Sequence, residues 1–162
     1  MPARGKPNSV KSLMSTPFRY YLRVRYQECD AQGVVFNARY GDYIDIATME
    51  FFRQIGFAEE VASTALDMQL VKQTTTWRAP ARNNQVLEIS IVAKALGTTS
   101  FTLRAQFCIA GTDAVSCEAE TIYVRVDAKT LSKQPLGDRF RASLHRGAPG
   151  VTIDHAAFLK QQ

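Results

Sequence analysis

The segment from Tyr40 to Ile55 constrains the fold more than any other part of this 162-residue chain. Tyr40, Ile44, Ala47, Phe51 and Ile55 recur at spacings of three and four, and Tyr43, Ile46 and Phe52 widen the stripe. That period belongs to a helix, and a stripe this wide needs cover on most of its sides. Gly56 supplies the stop, because glycine accepts the left-handed backbone just past a helix end. The rest of the chain has to wrap this helix.

The flanking sequence supplies the wrapping. Before the helix, Tyr20 to Tyr26 alternates Leu22, Val24 and Tyr26 with Arg23 and Arg25, the period of a strand with one buried face. After it, Ala58 to Leu66 reads as a short helical piece, and Leu70 to Trp77, rich in β-branched residues, as a strand ended by Pro80. Asn83 and Asn84 make a turn. Leu87, Ile89, Ile91 and Ala93 then share one strand face, and Phe101, Leu103, Ala105, Phe107 and Ile109 share the next. Gly97 to Ser100 joins these two strands as a hairpin, Ala110 to Asp113 makes a second, and Val115 to Val126 is the last strand. One strand, one long helix and four antiparallel strands make an α+β fold with the sheet curled round the helix.

One domain suffices for a chain of this length that is 46% hydrophobic. Residues 1–17 hold three prolines, Arg4, Lys6 and Lys11 but no apolar run, and read as a mobile basic leader. The folded domain is expected over 18–144, with 145–162 as a C-terminal extension.

The candidate chemistry lies where the period switches from strand to helix. Asp30 sits in a tight connection, and Gly33 is available for a backbone angle that a side chain resists. The first turn of a helix presents unpaired N–H groups that can hold an anion or polarise a carbonyl. A carboxylate just upstream can attack the polarised carbon or activate water beside it. An aspartate before a helix can equally be a turn former or a cap, and spacing alone does not choose.

The motif Asp-x-x-Gly-x-Val-Phe-x-x-x-Tyr, carried by Asp30, Gly33, Val35, Phe36 and Tyr40, resembles the signature of the 4-hydroxybenzoyl-CoA thioesterase family of hotdog-fold acyl-CoA thioesterases. Arg23 to Cys29 is similar to that family's first strand, Arg78 to Arg82 with Val86 to Ile89 to its middle strands, and Ala119 to Asp127 to its last. Position 37 carries Asn, where many bacterial members have His and the hydroxybenzoyl-specific members an aromatic residue; what the family implies there is chiefly the backbone N–H.

The resemblance implies hydrolysis of an acyl-CoA to the free acid and CoA. Asp30 would be nucleophile or general base, and the Asn37 N–H, supported by Gly33, the oxyanion donor. Val35, Phe36, Tyr40, Tyr43 and Arg82 would contact substrate. The resemblance also implies a homodimer or homotetramer with the site at the subunit boundary, and no cofactor beyond the CoA carried by the substrate. Asp45 and Glu50 on the helix are the alternative carboxylates. A non-catalytic acyl-CoA or acyl-carrier-binding module of the same fold, or a thioesterase for carrier-protein substrates, is the alternative reading. A hotdog dehydratase would need a His near the helix start, and none occurs between Met1 and Leu144.

Other chemistries find little support. Cys29, Cys108 and Cys117 have no metal-ligand spacing, and the two histidines, His145 and His155, lie near the C-terminus. Three cysteines without a secretory signal point to reduced thiols and a cytoplasmic location. The net charge of +5 is scattered, with no recognition helix or RNA-binding aromatic signature, so it suits an anionic small ligand better than nucleic acid. Arg78, Arg82, Lys94 and Arg125 are the candidate contacts for CoA phosphates. No membrane partner is expected.

Overall fold

The computed structural model describes residues 16–162, so 1–15 of the expected leader lie outside the described residues. Strands β1 (Phe18–Arg23), β2 (Asp67–Trp77), β3 (Val86–Leu96), β4 (Ser100–Ile109), β5 (Val115–Val126) and β6 (Thr152–Asp154) form one sheet in the order β2-β5-β4-β3-β1-β6. Helix α1 (Arg39–Gln54) lies in its concavity, followed by the short α2 (Ala58–Ala62), and α3 (Asp138–Arg146) comes after the last long strand.

The helix is buried as its stripe requires. Tyr43, Ile44, Ala47 and Phe51 are each at most 2% exposed and share one core with Phe18, Leu87, Ile89, Ile91, Phe101 and Phe107 of the sheet. Its end is a Schellman motif. Gly56 stands at φ +83°, its N–H donates to the Arg53 carbonyl at 3.2 Å, and the Phe57 N–H donates to Phe52 at 2.9 Å. Pairing shifts at Leu70/Lys72, Ala93/Ala95 and Phe107/Cys108 insert bulges, and bulges bend the strands around the helix.

Three features depart from the sequence pattern. The strand expected over 20–26 ends at Arg23, because Tyr26–Glu28 closes into a single 3₁₀ turn with the Glu28 N–H on the Arg25 carbonyl. The sheet has six strands where about five are expected, and the sixth runs parallel to β1. Residues 145–162 therefore contribute to the sheet, and α3 packs Phe140 and Leu144 into the main core. The α3 sequence, Asp138 to Arg146, is short and charged, and its Phe140, Ser143 and Leu144 stripe is too brief to read as a helix.

Candidate active site

Between β1 and α1 the chain makes a miniature hairpin. The Phe36 N–H donates to the Glu28 carbonyl at 2.9 Å, Cys29 bridges Val35, and the Asp30 N–H donates to Val34 at 2.9 Å. Gly33, at φ +73° with nothing within 4 Å of where a Cβ would stand, makes the turn. The hairpin is pinned to the segment before β3: Val35 donates to the Ala81 carbonyl at 2.8 Å, and Val34 bridges Arg82.

This geometry leaves a carboxylate oxygen and the amides before the helix unengaged among the described residues. Asp30 Oδ1 accepts from the Gln32 N–H at 2.8 Å and lies 3.5 Å from the Val34 amide, while Oδ2 has no donor. The Asn37 and Ala38 N–H groups have no acceptor, although the amides that flank this pair, Phe36 and Arg39, are bonded. No side chain caps α1 at its start; the Arg39, Tyr40 and Gly41 amides donate to the carbonyls of Phe36, Asn37 and Ala38, so the open amides are those just before the helix. The half-buried Asp30 and an open amide just before the helix thus belong to one pinned loop.

The other predicted residues divide. Phe36 is half exposed, Val35 is buried in the core, and Arg82 is brought to the loop by its bridge to Val34. Tyr40 and Tyr43 are buried with their hydroxyls already used. Tyr40 Oη lies 3.0 Å from Ser116 Oγ, which donates to the Ala79 carbonyl, and Tyr43 donates to Glu28 Oε2 at 2.6 Å. Burial pushes both phenols up. Tyr43 also borders a cavity of about 300 Å³ with Tyr20, Leu22, Arg25, Ile46 and His155.

Of the four candidate bases for phosphate, three are engaged within the chain. Arg78 pairs with Glu118, Lys94 with Glu120, and Arg125 donates to the carbonyls of Pro135 and Leu136. Only the Arg82 guanidinium among these four has no partner among the described residues. The alternative carboxylates lie on α1, away from the hairpin. Glu50 pairs with Arg53 at 3.2 Å, and burial together with Asp42 pushes the Asp45 carboxyl up.

Glu28 is the residue that sequence periodicity does not mark. It is 4% exposed, accepts from Arg25 Nε at 2.7 Å and the Arg25 N–H at 2.8 Å, and takes the Tyr43 hydroxyl. Burial acts to raise its carboxyl, but the bonds from Arg25 and Tyr43 together outweigh burial and hold it below the usual range. The sole local signal is Arg25-x-x-Glu28, a spacing that permits a reciprocal cap.

Cys108 and Cys117 lie on β4 and β5, while Cys29 sits in the hairpin next to Asp30. All three are free thiols, and burial pushes Cys117 up to about 12, far from a reactive thiolate. Among the described residues no group of three or more His, Cys, Asp or Glu could hold a metal ion, and no helix is long and apolar enough to cross a membrane.

Residues 24–144, which include the hairpin, all of α1 and β2 to β5, match the Thioesterase-like superfamily. The chain belongs to that superfamily. Among its relatives, the acyl-CoA thioester hydrolase YbgC of Escherichia coli O6:H1 is 29% identical over 123 residues, covering 75% of this chain and 91% of its own. A hypothetical protein of Aquifex aeolicus superposes with a TM-score of 0.71 at 26% identity, over 79% of this chain and 99% of that one. The 1,4-dihydroxy-2-naphthoyl-CoA thioesterase of Synechocystis superposes equally well, TM-score 0.71, at 17% identity over 78% and 94% of the two chains, a likeness of fold. These thioesterase-like structures share the sheet around a central helix, which is the hotdog arrangement expected of the chain.

Proposed function

We propose that this thioester hydrolase cleaves an acyl-CoA to the free acid and CoA, with Asp30 as the reacting carboxylate and the Asn37 N–H as the oxyanion donor. One observation carries the reading: a single pinned hairpin leaves both Asp30 Oδ2 and the Asn37 N–H without a partner among the described residues. The relative YbgC, whose name describes an acyl-CoA thioester hydrolase, supports the substrate class.

In the reaction, Asp30 attacks the thioester carbon or takes the proton from a water that does. Charge collects on the carbonyl oxygen, where the Asn37 amide and the first turn of α1 stabilise it. The C–S bond then breaks and CoA leaves as its thiol, one water being consumed overall. No metal or redox cofactor enters this scheme. Arg82, beside the hairpin and without a side-chain partner among the described residues, is the base we assign to a CoA phosphate; Phe36, half exposed beside Asn37, is assigned to the acyl or pantetheine group.

The reading includes a second copy of the chain. β2 ends the sheet with an edge that is unpaired among the described residues, and Leu70, Val71 and Trp77 on it are 46%, 56% and 51% exposed. Exposed apolar edges are normally covered, and a homodimer, or a tetramer built from it, covers this one. The reading is of a cytoplasmic enzyme, where three free thiols stay reduced.

The test is Asp30→Asn in a thiol-release assay over short, long, branched and aromatic acyl-CoAs. The variant keeps shape and hydrogen bonding but loses the charge, and turnover should fall by at least about 10². Near-normal turnover in the folded variant would move the catalytic role to Glu50 or Asp45.

A further inference from the structure

We propose that Glu28 is the positioning residue of this site: its buried carboxylate, by holding Arg25 and Tyr43, locks the hairpin carrying Asp30 against the helix whose start presents the Asn37 N–H. The inference rests on the roles of Asp30 and Asn37 given above.

A carboxylate as buried as Glu28 is a costly choice for stability alone. Its partner Arg25 stays largely in water, so the desolvation falls on the carboxylate, and well-packed apolar residues often do as well or better in such places. Here both oxygens are fully used. Oε1 takes the Arg25 guanidinium through Nε and Nη2, and Oε2 takes the Arg25 backbone N–H and the Tyr43 hydroxyl. A fully satisfied polar cluster of this kind holds its members in one arrangement.

Its location gives that rigidity a purpose. The Glu28 carbonyl accepts the Phe36 N–H, the amide next to Asn37, while its α-carbon lies two residues before Asp30. Tyr43 stands on α1, 1% exposed, one turn into the helix that the open Asn37 amide precedes. The backbone of Glu28 therefore closes the base of the hairpin, and its side chain fastens that base to α1. The two reacting groups lie on either side of this fastening. A small displacement between them would matter, because about 1 Å of misplacement can cost on the order of 10² in rate.

The experiment measures kcat, KM and thermal midpoint for Glu28→Gln and Tyr43→Phe, each alone and combined with Asp30→Asn. Glu28→Gln should lose about 10² in kcat with KM within several-fold. Tyr43→Phe, which leaves the Arg25–Glu28 pair in place and so guards against a folding failure at Glu28, should lose roughly tenfold. In the Asp30→Asn background each should add less than about threefold, since no reacting carboxylate remains to be positioned. A residue serving stability alone would lower the midpoint and leave the kcat of the folded fraction unchanged. Wild-type kcat in folded Glu28→Gln and Tyr43→Phe, beside an inactive Asp30→Asn, would overturn this inference by itself. Turnover surviving in Asp30→Asn would overturn the reading beneath it and this inference with it.

Discussion

The Phe36 amide donates to the Glu28 carbonyl at 2.9 Å, and this bond sets where the run of open amides before α1 begins. Phe36 is consumed in closing the hairpin, so the next N–H, that of Asn37, opens at the start of α1. The asparagine side chain forms no hydrogen bond among the described residues, and the backbone carries the proposed function.

That separation predicts a ranking at one position. Asn37→Ala keeps the N–H and should leave turnover within several-fold, whereas Asn37→Pro deletes it and should cost about 10²–10³ in kcat. Steady-state kinetics on the two purified variants checks the order; equal losses would place the function in the side chain instead.

Gly33 makes the turn at φ +73° in open space, so a side chain there meets strain and no clash. Gly33→Ala should cost about 1 kcal/mol through that strain, a drop of roughly 2–4 °C in the thermal midpoint. Its kcat should fall as well, because the turn holds Asp30. Calorimetry and turnover on the same preparation separate the two effects.

Glu28 makes stability depend on acid. Its folded carboxyl is held below the unfolded value of about 4.3, so its contribution is present above that pH and is lost as pH falls through the folded value. Urea unfolding between about pH 3 and 6 should show wild-type stability declining more steeply on acidification than that of Glu28→Gln. Parallel curves would mean that the carboxylate gains nothing from Arg25 and Tyr43.

Tyr40 and Ser116 share a hydrogen bond at 3.0 Å inside the core. Ser116→Ala leaves a buried phenol unpaired and should cost about 1–3 kcal/mol in denaturant unfolding. Removing both hydroxyls with Tyr40→Phe and Ser116→Ala together should cost less than the sum of the single changes. Additive costs would show that the two hydroxyls do not interact.

The β2 edge should govern assembly. Lysines in place of exposed Leu70 and Val71 leave the protomer core intact, and light scattering should report a dimer or tetramer for the wild type and a monomer for the double variant. Thioesterase turnover should disappear with the assembly. A monomer that still turns over substrate would show that the site is complete within one chain.

Much of the architecture was determined by sequence alone, because periodicity encodes local conformation. The α1 stripe, the Gly56 stop, the alternation of β3 and β4, and both hairpins follow from which residues can occupy one face or one backbone angle. The Asp30–Gly33 loop was legible in the same way, as a turn before a helix. Tertiary structure decided what that loop faces. Glu28 reads as a strand residue until the chain turns at Tyr26 and carries its carboxylate to Tyr43, fifteen positions away. Arg82 is singled out from Arg78, Lys94 and Arg125 because those three find partners within the chain, two on β5 and Arg125 on the carbonyls of Pro135 and Leu136, whereas a bridge places Arg82 beside Val34. β6 is three residues long, too short to announce itself, and it becomes a strand because the edge of β1 offers unpaired N–H and C=O groups. Such partnerships depend on where distant segments come to rest, and that is set by packing around α1, not by local pattern.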